Sequence, residues 1–499
     1  MTEKTKIENF FRLWNAGVEK LLEGYLYDEE GKLNPTRYIF SYYLKLIERF
    51  LNDQIEEIEK INLLSGIRGT GKTTLLAQIF YAPKFVRSSQ RKNYPKILSQ
   101  DYQKFYLDVS RLIAEGISLN EFFNFYQEVN DLSFVNLNKK IILLLDEVHY
   151  DQNWGLFLKN LFDMTKRHKN LLVIATGSSA LKLKLNPDLS RRSLSKELYP
   201  LKFNEYAILK GIGFPQRGLS DKIIEAILFS ENTQQIYQKL NNLYFQINKY
   251  FLKLPPKIEN EFFYYGGFPF VLKLKNKKFL VYELTSGVLD KVITKDILEM
   301  KKFSAETLSK IDDLLYLLAV SERTDFEKLC TTLKLDYRSV RGILDALIQA
   351  GILIEIKSYG EKFVRVRKPI KFLFISPSLR VSILKGVIPS EVKGKILEDY
   401  LALIFVKDFK KKVEKISELD IRYDSSIEGA DFVLKFGKKK IVVEVGFGEK
   451  KEGVVQVKNT FKRIDGGGYH YGIIVSEQGN LKILEKNIIR TPLKIWLAI

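Results

Sequence analysis

Two short stretches carry residues whose types and spacing suit phosphate chemistry. Gly66-Ile-Arg-Gly-Thr-Gly71-Lys72-Thr73 matches G-x-x-x-x-G-K-[ST]. Glycines let the backbone curl so that its N–H groups face phosphate oxygens. The set expected to hold a nucleoside triphosphate is Gly66, Arg68, Gly69, Thr70, Gly71, Lys72, Thr73 and Thr74. Lys72 would place a point charge near the β- and γ-phosphates, and the Thr73 hydroxyl would ligate Mg²⁺. The second stretch is the acidic pair Asp146-Glu147. Asp146 would support Mg²⁺, and Glu147 would orient and deprotonate the attacking water.

Both stretches need particular elements to position them. Ile61 to Leu64 is an apolar run leading into the glycine-rich loop, and an amphipathic helical pattern follows it. The loop therefore sits between a strand and a helix N-terminus, whose partial positive charge favours anions. The run "KKIILLLDE" is continuously apolar up to its acidic end, as expected of a central parallel strand buried on both faces. Its carboxylates then fall at the strand's C-terminal end, where open α/β sheets bind ligands. A third run, "NLLVIATGSS", ends in polar residues; Ser178 is the expected sensor of the γ-phosphate, with Thr176 second.

Bulk composition bounds the rest. The chain has 499 residues, 45% of them hydrophobic, which is too long for one core and implies about three or four domains. No apolar run is long enough for a membrane-spanning helix, and the charged N-terminus has no signal-peptide pattern, so a cytoplasmic protein without a membrane partner is expected. One cysteine, Cys330, excludes an internal disulfide and a cysteine-based zinc site. The formal charge of +20 favours a polyanionic partner such as DNA through counterion release.

Further along, residues 211–302 carry long helical patterns and read as a helical lid. Residues 303–388 read helix, short turn, helix, then a hairpin of "AGILIEI" and "FVRVR" with Tyr359-Gly360 at its tip, which is a winged-helix pattern. Its second helix would face a major groove if it binds duplex DNA, and such modules also dock proteins. Arg338, Arg341, Lys357, Lys362, Arg365 and Arg367 are the expected phosphate contacts.

The glycine-rich loop, the Asp-Glu strand, Arg192, "LYPLKFNEY", "YYGGFPFVLKL" and "VITKDI" together resemble the archaeal and bacterial AAA+-like P-loop ATPases that often carry a C-terminal PD-(D/E)xK nuclease-like domain. The resemblance implies an α/β fold: a parallel-sheet ATPase with a helical lid, a winged-helix domain and a restriction-endonuclease-like α/β domain. The expected segments are 1–50 (N-terminal helical), 51–210 (ATPase), 211–302 (lid), 303–388 (winged helix) and 389–499 (nuclease-like). The family pattern has a small residue and then Gly-Arg where this chain has Arg191-Arg192. By resemblance, Arg192 is an arginine finger or sensor, and a role in trans would require a homo-oligomer.

By the same resemblance Glu398, Asp431 and Glu444 would converge on a divalent cation. An active nuclease of this type carries lysine two places after the second strand carboxylate; here that place is Gly446. Three readings stay open: a DNA-binding wall with weak or no cleavage, a lysine relocated to Lys435, Lys440 or Lys458, or a hairpin surface without chemistry. The expected activity is Mg²⁺-dependent ATP hydrolysis coupled to binding or remodelling DNA. An ATP-gated endonuclease and a nucleotide-dependent signalling switch that docks protein partners are the alternatives.

Overall fold

The structure is a computed structural model. It describes residues 3–178, 189, 191–274, 278–298, 303–321, 325–360, 369–414, 416–446, 452–464 and 470–499. The chain divides into two compact units, Met1–Tyr199 and Pro200–Ile499.

The first unit is a parallel sheet of five described strands in the order β2-β3-β4-β1-β5. These are β1 (Ile61–Ser65), β2 (Gln103–Asp108), β3 (Ile141–Asp146), β4 (Leu171–Gly177) and β5 (Leu194–Glu197). Every residue of β1, β3 and β4 is buried, which explains their mostly apolar sequences: helices cover both faces. β1 lies between β4 and β5 and is parallel to both. The loop at its C-terminal end therefore opens beside the ends of β4 and β5.

Helices α1 (Glu3–Glu23) and α2 (Tyr38–Leu51), expected as a separate N-terminal segment, share this unit's hydrophobic core. Ile7, Trp14 and Leu22 of α1 and Phe40, Tyr43, Leu44 and Ile47 of α2 are buried with the strand residues. The Trp14 ring stacks on Tyr106 at 6.1 Å, and its indole N–H donates to the Tyr106 carbonyl at 2.8 Å. Helix α3 (Lys72–Phe80) starts straight after the glycine-rich loop. Gly71 caps it in the left-handed region, at φ 91°, a conformation that favours glycine.

The second unit begins with helices at Phe203–Leu209, Leu219–Phe229, Thr233–Phe251 and Ile258–Tyr265. The helix pair Phe326–Leu333 and Tyr337–Gln349 follows, capped by the Asp325 and Asp336 side chains. Leu329 and Leu333 of the first, and Val340, Ile343 and Leu347 of the second, are buried as the apolar spacing requires.

This unit's sheet is mixed, in the order β12-β13-β11-β10-β9-β8-β6-β7. Its strands are β6 (Leu353–Ser358), β7 (Lys371–Phe374), β8 (Asp420–Tyr423), β9 (Phe432–Phe436), β10 (Lys439–Gly446), β11 (His470–Ser476), β12 (Lys482–Glu485) and β13 (Ile488–Pro492). The "FVRVR" strand expected to pair with β6 lies outside the described residues. β6 pairs antiparallel with β7 and, at Lys357 and Ser358, parallel with β8. The strands expected in segment 303–388 and those expected in 389–499 are thus hydrogen-bonded into one sheet.

Among the described residues, no helix is long and apolar enough to cross a membrane.

Candidate functional site

At the C-terminal edge of the first unit's sheet, the loop and the Asp-Glu strand meet. Gly66 has no room for a side chain: a Cβ there would fall 2.5 Å from the Leu198 carbonyl oxygen. The Thr70 hydroxyl donates back to the Ile67 carbonyl at 2.8 Å and holds the loop's curl. Lys72 Nζ is buried, 2.8 Å from the Gly66 carbonyl and 4.0 Å from Glu147 Oε1. The Arg68 guanidinium donates to the Tyr150 hydroxyl at 3.2 Å. Thr74, in the first turn of α3, is half-buried.

Asp146 closes the site. Its Oδ2 accepts from the Thr73 hydroxyl at 2.7 Å and from the Tyr106 hydroxyl at 3.1 Å. Its Oδ1 accepts from the Thr176 hydroxyl, and Thr176 Oγ1 in turn accepts from the Glu147 backbone N–H at 3.2 Å. Burial pushes the Asp146 carboxyl above its usual range, against the hydrogen bonds from Thr176 and Thr73. Burial also pushes the Tyr106 phenol far up, helped by Asp146, so it remains a hydrogen-bond donor. Glu147 sits in the left-handed region at φ 54°, just past the strand end. His149 Nδ1 is 3.4 Å from its Oε2.

These residues fit a nucleotide with Mg²⁺. At Gly66 the cradle has space only for backbone, and Thr73 and Asp146 are already paired through the oxygens that would face the cation. The Ser178 hydroxyl, fully buried just beyond β4, has no hydrogen-bond partner among the described residues.

Thr176, placed second to Ser178 from sequence, is the β4 residue that contacts both Asp146 and Glu147. Arg192 is in the same unit, 3.3 Å from Asp163 Oδ1 and 5.9 Å from the Phe162 ring centroid. Sequence reasoning missed three contributors. Tyr106 lies on "KFYLD", an apolar run ending in an acid like β3, and that likeness was the available signal. His149 follows the acidic pair directly. Arg37 carries no sequence signal; it donates to the carbonyls of Thr70 in the loop and Tyr199, both at 2.9 Å.

The expected DNA-contact residues lie in the second unit. Arg338 is exposed in the first turn of the helix Tyr337–Gln349. Arg341 is held by Glu355 at 2.8 Å and Asp345 at 2.7 Å. Lys357 is half-exposed, 3.5 Å from Glu355. Lys362, Arg365 and Arg367 lie outside the described residues.

Glu398, Asp431 and Glu444 do come together. Glu444 Oε2 accepts from the Asp431 backbone N–H at 3.1 Å, and the Lys371 ammonium bridges Asp431 and Glu398. Among the described residues, however, no group of three or more acidic, His or Cys side chains is arranged to hold a metal. The lysines proposed as relocated are occupied elsewhere or remote. Lys440 donates to the Ile464 carbonyl at 2.8 Å, Lys458 pairs with Glu485, and Lys435 is exposed on β9. At Gly446 a Cβ would meet Ile474 Cγ2 at 3.2 Å, so a side chain there would crowd β11.

The fold and site are those of a P-loop nucleotide-binding domain, and residues 58–207 match the model of the AAA domain. The chain is 33% identical over 502 residues to the uncharacterized protein MJ1637 of Methanocaldococcus jannaschii, covering 97% of this chain and 96% of that one, and it belongs to the same family. An uncharacterized protein of Haemophilus influenzae is 22% identical over 436 residues, covering 84% of this chain and 91% of that one. Among solved structures, the Aeropyrum pernix Orc1 protein in complex with DNA aligns with a TM-score of 0.31 and 10% identity, over 71% of this chain and 92% of that one. The Thermotoga maritima RuvB Holliday junction branch migration motor aligns with a TM-score of 0.29 and 15% identity, over 64% of this chain and 92% of that one.

Proposed function

We propose that the protein is a Mg²⁺-dependent ATPase that couples nucleotide binding and hydrolysis to binding or remodelling DNA. The observation that carries the ATPase half is the hydrogen-bonded set Thr73–Asp146–Thr176–Glu147 facing the glycine loop. Loop N–H groups bind phosphate oxygens, and Lys72 Nζ exchanges the Gly66 carbonyl for them. Thr73 Oγ1 and Asp146 would hold Mg²⁺, with Tyr106 keeping the Asp146 carboxylate oriented. When bound, Mg²⁺ neutralises charge on the β- and γ-phosphate oxygens. Glu147 takes the proton of the attacking water, and Ser178 is positioned as a donor to the γ-phosphate. Arg192 acts as finger or sensor, and in trans it would make a homo-oligomer the working unit.

The DNA half rests on the formal charge of +20 and on reading the capped helix pair with β6 as a winged helix whose Arg338 is exposed. Residues 211–302 are read as a lid, and the sheet from β8 to β13 as a nuclease-like domain that grips without cutting.

One experiment tests both halves: ATP turnover of the full chain with no DNA and with single-stranded, duplex and junction DNA, at low and moderate salt. The expected result is turnover stimulated by one DNA form, with stimulation falling steeply as salt rises. Turnover indifferent to all of them would remove the DNA half and leave the ATPase.

A further inference from the structure

The lysine that Gly446 does not supply is present in the same sheet. Lys371 opens β7, and its Nζ lies 2.7 Å from Glu398 Oε2 and 3.0 Å from Asp431 Oδ1, with the Asp431 carbonyl at 3.4 Å. An ammonium has three N–H donors, and here three oxygens receive them. The rings of Tyr423 and Phe432 stand on further sides, with centroids 5.3 and 5.4 Å from Nζ. Only 7% of the Lys371 side chain is exposed.

The carboxylates are equally engaged. Glu398 Oε1 accepts from Lys395 Nζ at 2.7 Å, Asp431 Oδ2 from the Val445 backbone N–H at 3.1 Å, and Glu444 Oε2 from the Asp431 N–H. Burial alone would push the Glu398 carboxyl up, but Lys371 and Lys395 hold it down at about 2. Burial alone would lower the Lys371 ammonium's pKa, but Asp431 and Glu398 raise it above the ordinary lysine value. Two positive side chains therefore stand where a site for Mg²⁺ would need open oxygens. A lysine serving phosphodiester cleavage would keep a donor free for the substrate, and Lys371 has all three turned inward.

The geometry points to Lys371 as a built-in cation: its ammonium bridges Glu398 and Asp431 within the Glu398–Asp431–Glu444 cluster and closes it to catalytic metal. The cluster then joins β7 to the helix Lys393–Ile404 and to β9, and the C-terminal sheet has the layout of a nuclease without its chemistry. The inference rests on contacts inside the second unit and not on the ATPase reading.

The test uses the full chain without nucleotide. Manganese binding, counted by electron paramagnetic resonance, should be identical in wild type and Asp431→Asn. Lys371→Ala should melt earlier in EDTA and regain roughly 5 °C in millimolar Mn²⁺, because a bound cation replaces the lost one. That gain should vanish when Glu398→Gln is added. A wild-type Mn²⁺ site removed by Asp431→Asn would overturn the inference. So would Mn²⁺-dependent cutting of plasmid DNA by wild type that Lys371→Ala abolishes, since the lysine would then be a working group. A Lys371→Ala protein that folds and ignores Mn²⁺ would show that the ammonium does not stand in a cation's place. If Lys371→Ala does not fold, the wild-type and Asp431→Asn binding counts decide alone.

Discussion

Lys72 and Lys371 are both buried lysines beside carboxylates, with 4% and 7% of their side chains exposed. Their partners differ in kind. Lys72 rests on a carbonyl of its own loop, and its nearest carboxylate oxygen is 4.0 Å away on Glu147. It has an interaction it can give up for a phosphate. Lys371 has two carboxylates within 3.0 Å and a filled donor set. Its charge is already neutralised within the fold. Burial of a lysine therefore says little about function; what separates a working lysine from a structural one is whether its donors are held weakly enough to be exchanged.

Four outcomes would break or sharpen that comparison. The largest effect is expected at the nucleotide site. Glu147→Gln should lower ATP turnover by roughly 10²–10⁴-fold, and Lys72→Ala should abolish it, while both retain a native melting profile. Normal turnover in Glu147→Gln would assign the base to another residue.

Arg192 is the next most sensitive, at about 10³-fold on turnover if it contacts the transferred phosphate. It stands between the two lysines in kind, since its carboxylate partner Asp163 lies at 3.3 Å. Mixing Arg192→Ala with Lys72→Ala protein reads the geometry: regained activity means the arginine acts across subunits, and none at any ratio favours a role within its own chain or no role.

The third outcome is stability. Lys371→Met should cost about 3–5 kcal/mol in denaturant unfolding, because buried Glu398 keeps only Lys395 and part-buried Asp431 loses the ammonium at 3.0 Å. Lys72→Met should cost about 1 kcal/mol or less, because only carbonyl contacts are lost. Equal costs would erase the distinction between the two lysines.

The smallest effect separates two arginines on one helix. If the helix Tyr337–Gln349 meets DNA, Arg338→Ala should weaken binding and reduce the salt slope by about 1. Arg341→Ala should change it less, since Asp345 and Glu355 already neutralise that charge. The check is a binding titration at several salt concentrations.

Much of the nucleotide site was legible because it is local. Gly66 to Thr73 is one unbroken stretch, and β1, the loop and α3 follow each other in the chain. β3 announced itself by five apolar residues in a row, Ile141 to Leu145, ending at Asp146. The supporting residues were not legible. Arg37, just before α2, reaches Thr70 across 33 residues through packing, and Tyr106 reaches Asp146 across 40 because β2 lies beside β3. The contact of Thr176 with Asp146 was likewise set by register, because β4 lies beside β3 and presents Thr176 at that strand end.

At the C-terminal sheet the sequence by itself determined the three carboxylates and the glycine that leaves position 446 without charge. It could not determine which cation answers them. Lys371 is 27 residues from Glu398 and 60 from Asp431, on a strand placed beside the cluster only by the pairing of β6 with β7 and β8. Periodicity and turn chemistry act over a few residues and so can be read along the chain. An electrostatic partner buried between strands of one sheet and a helix is selected by packing and desolvation, which exist only once the chain has folded.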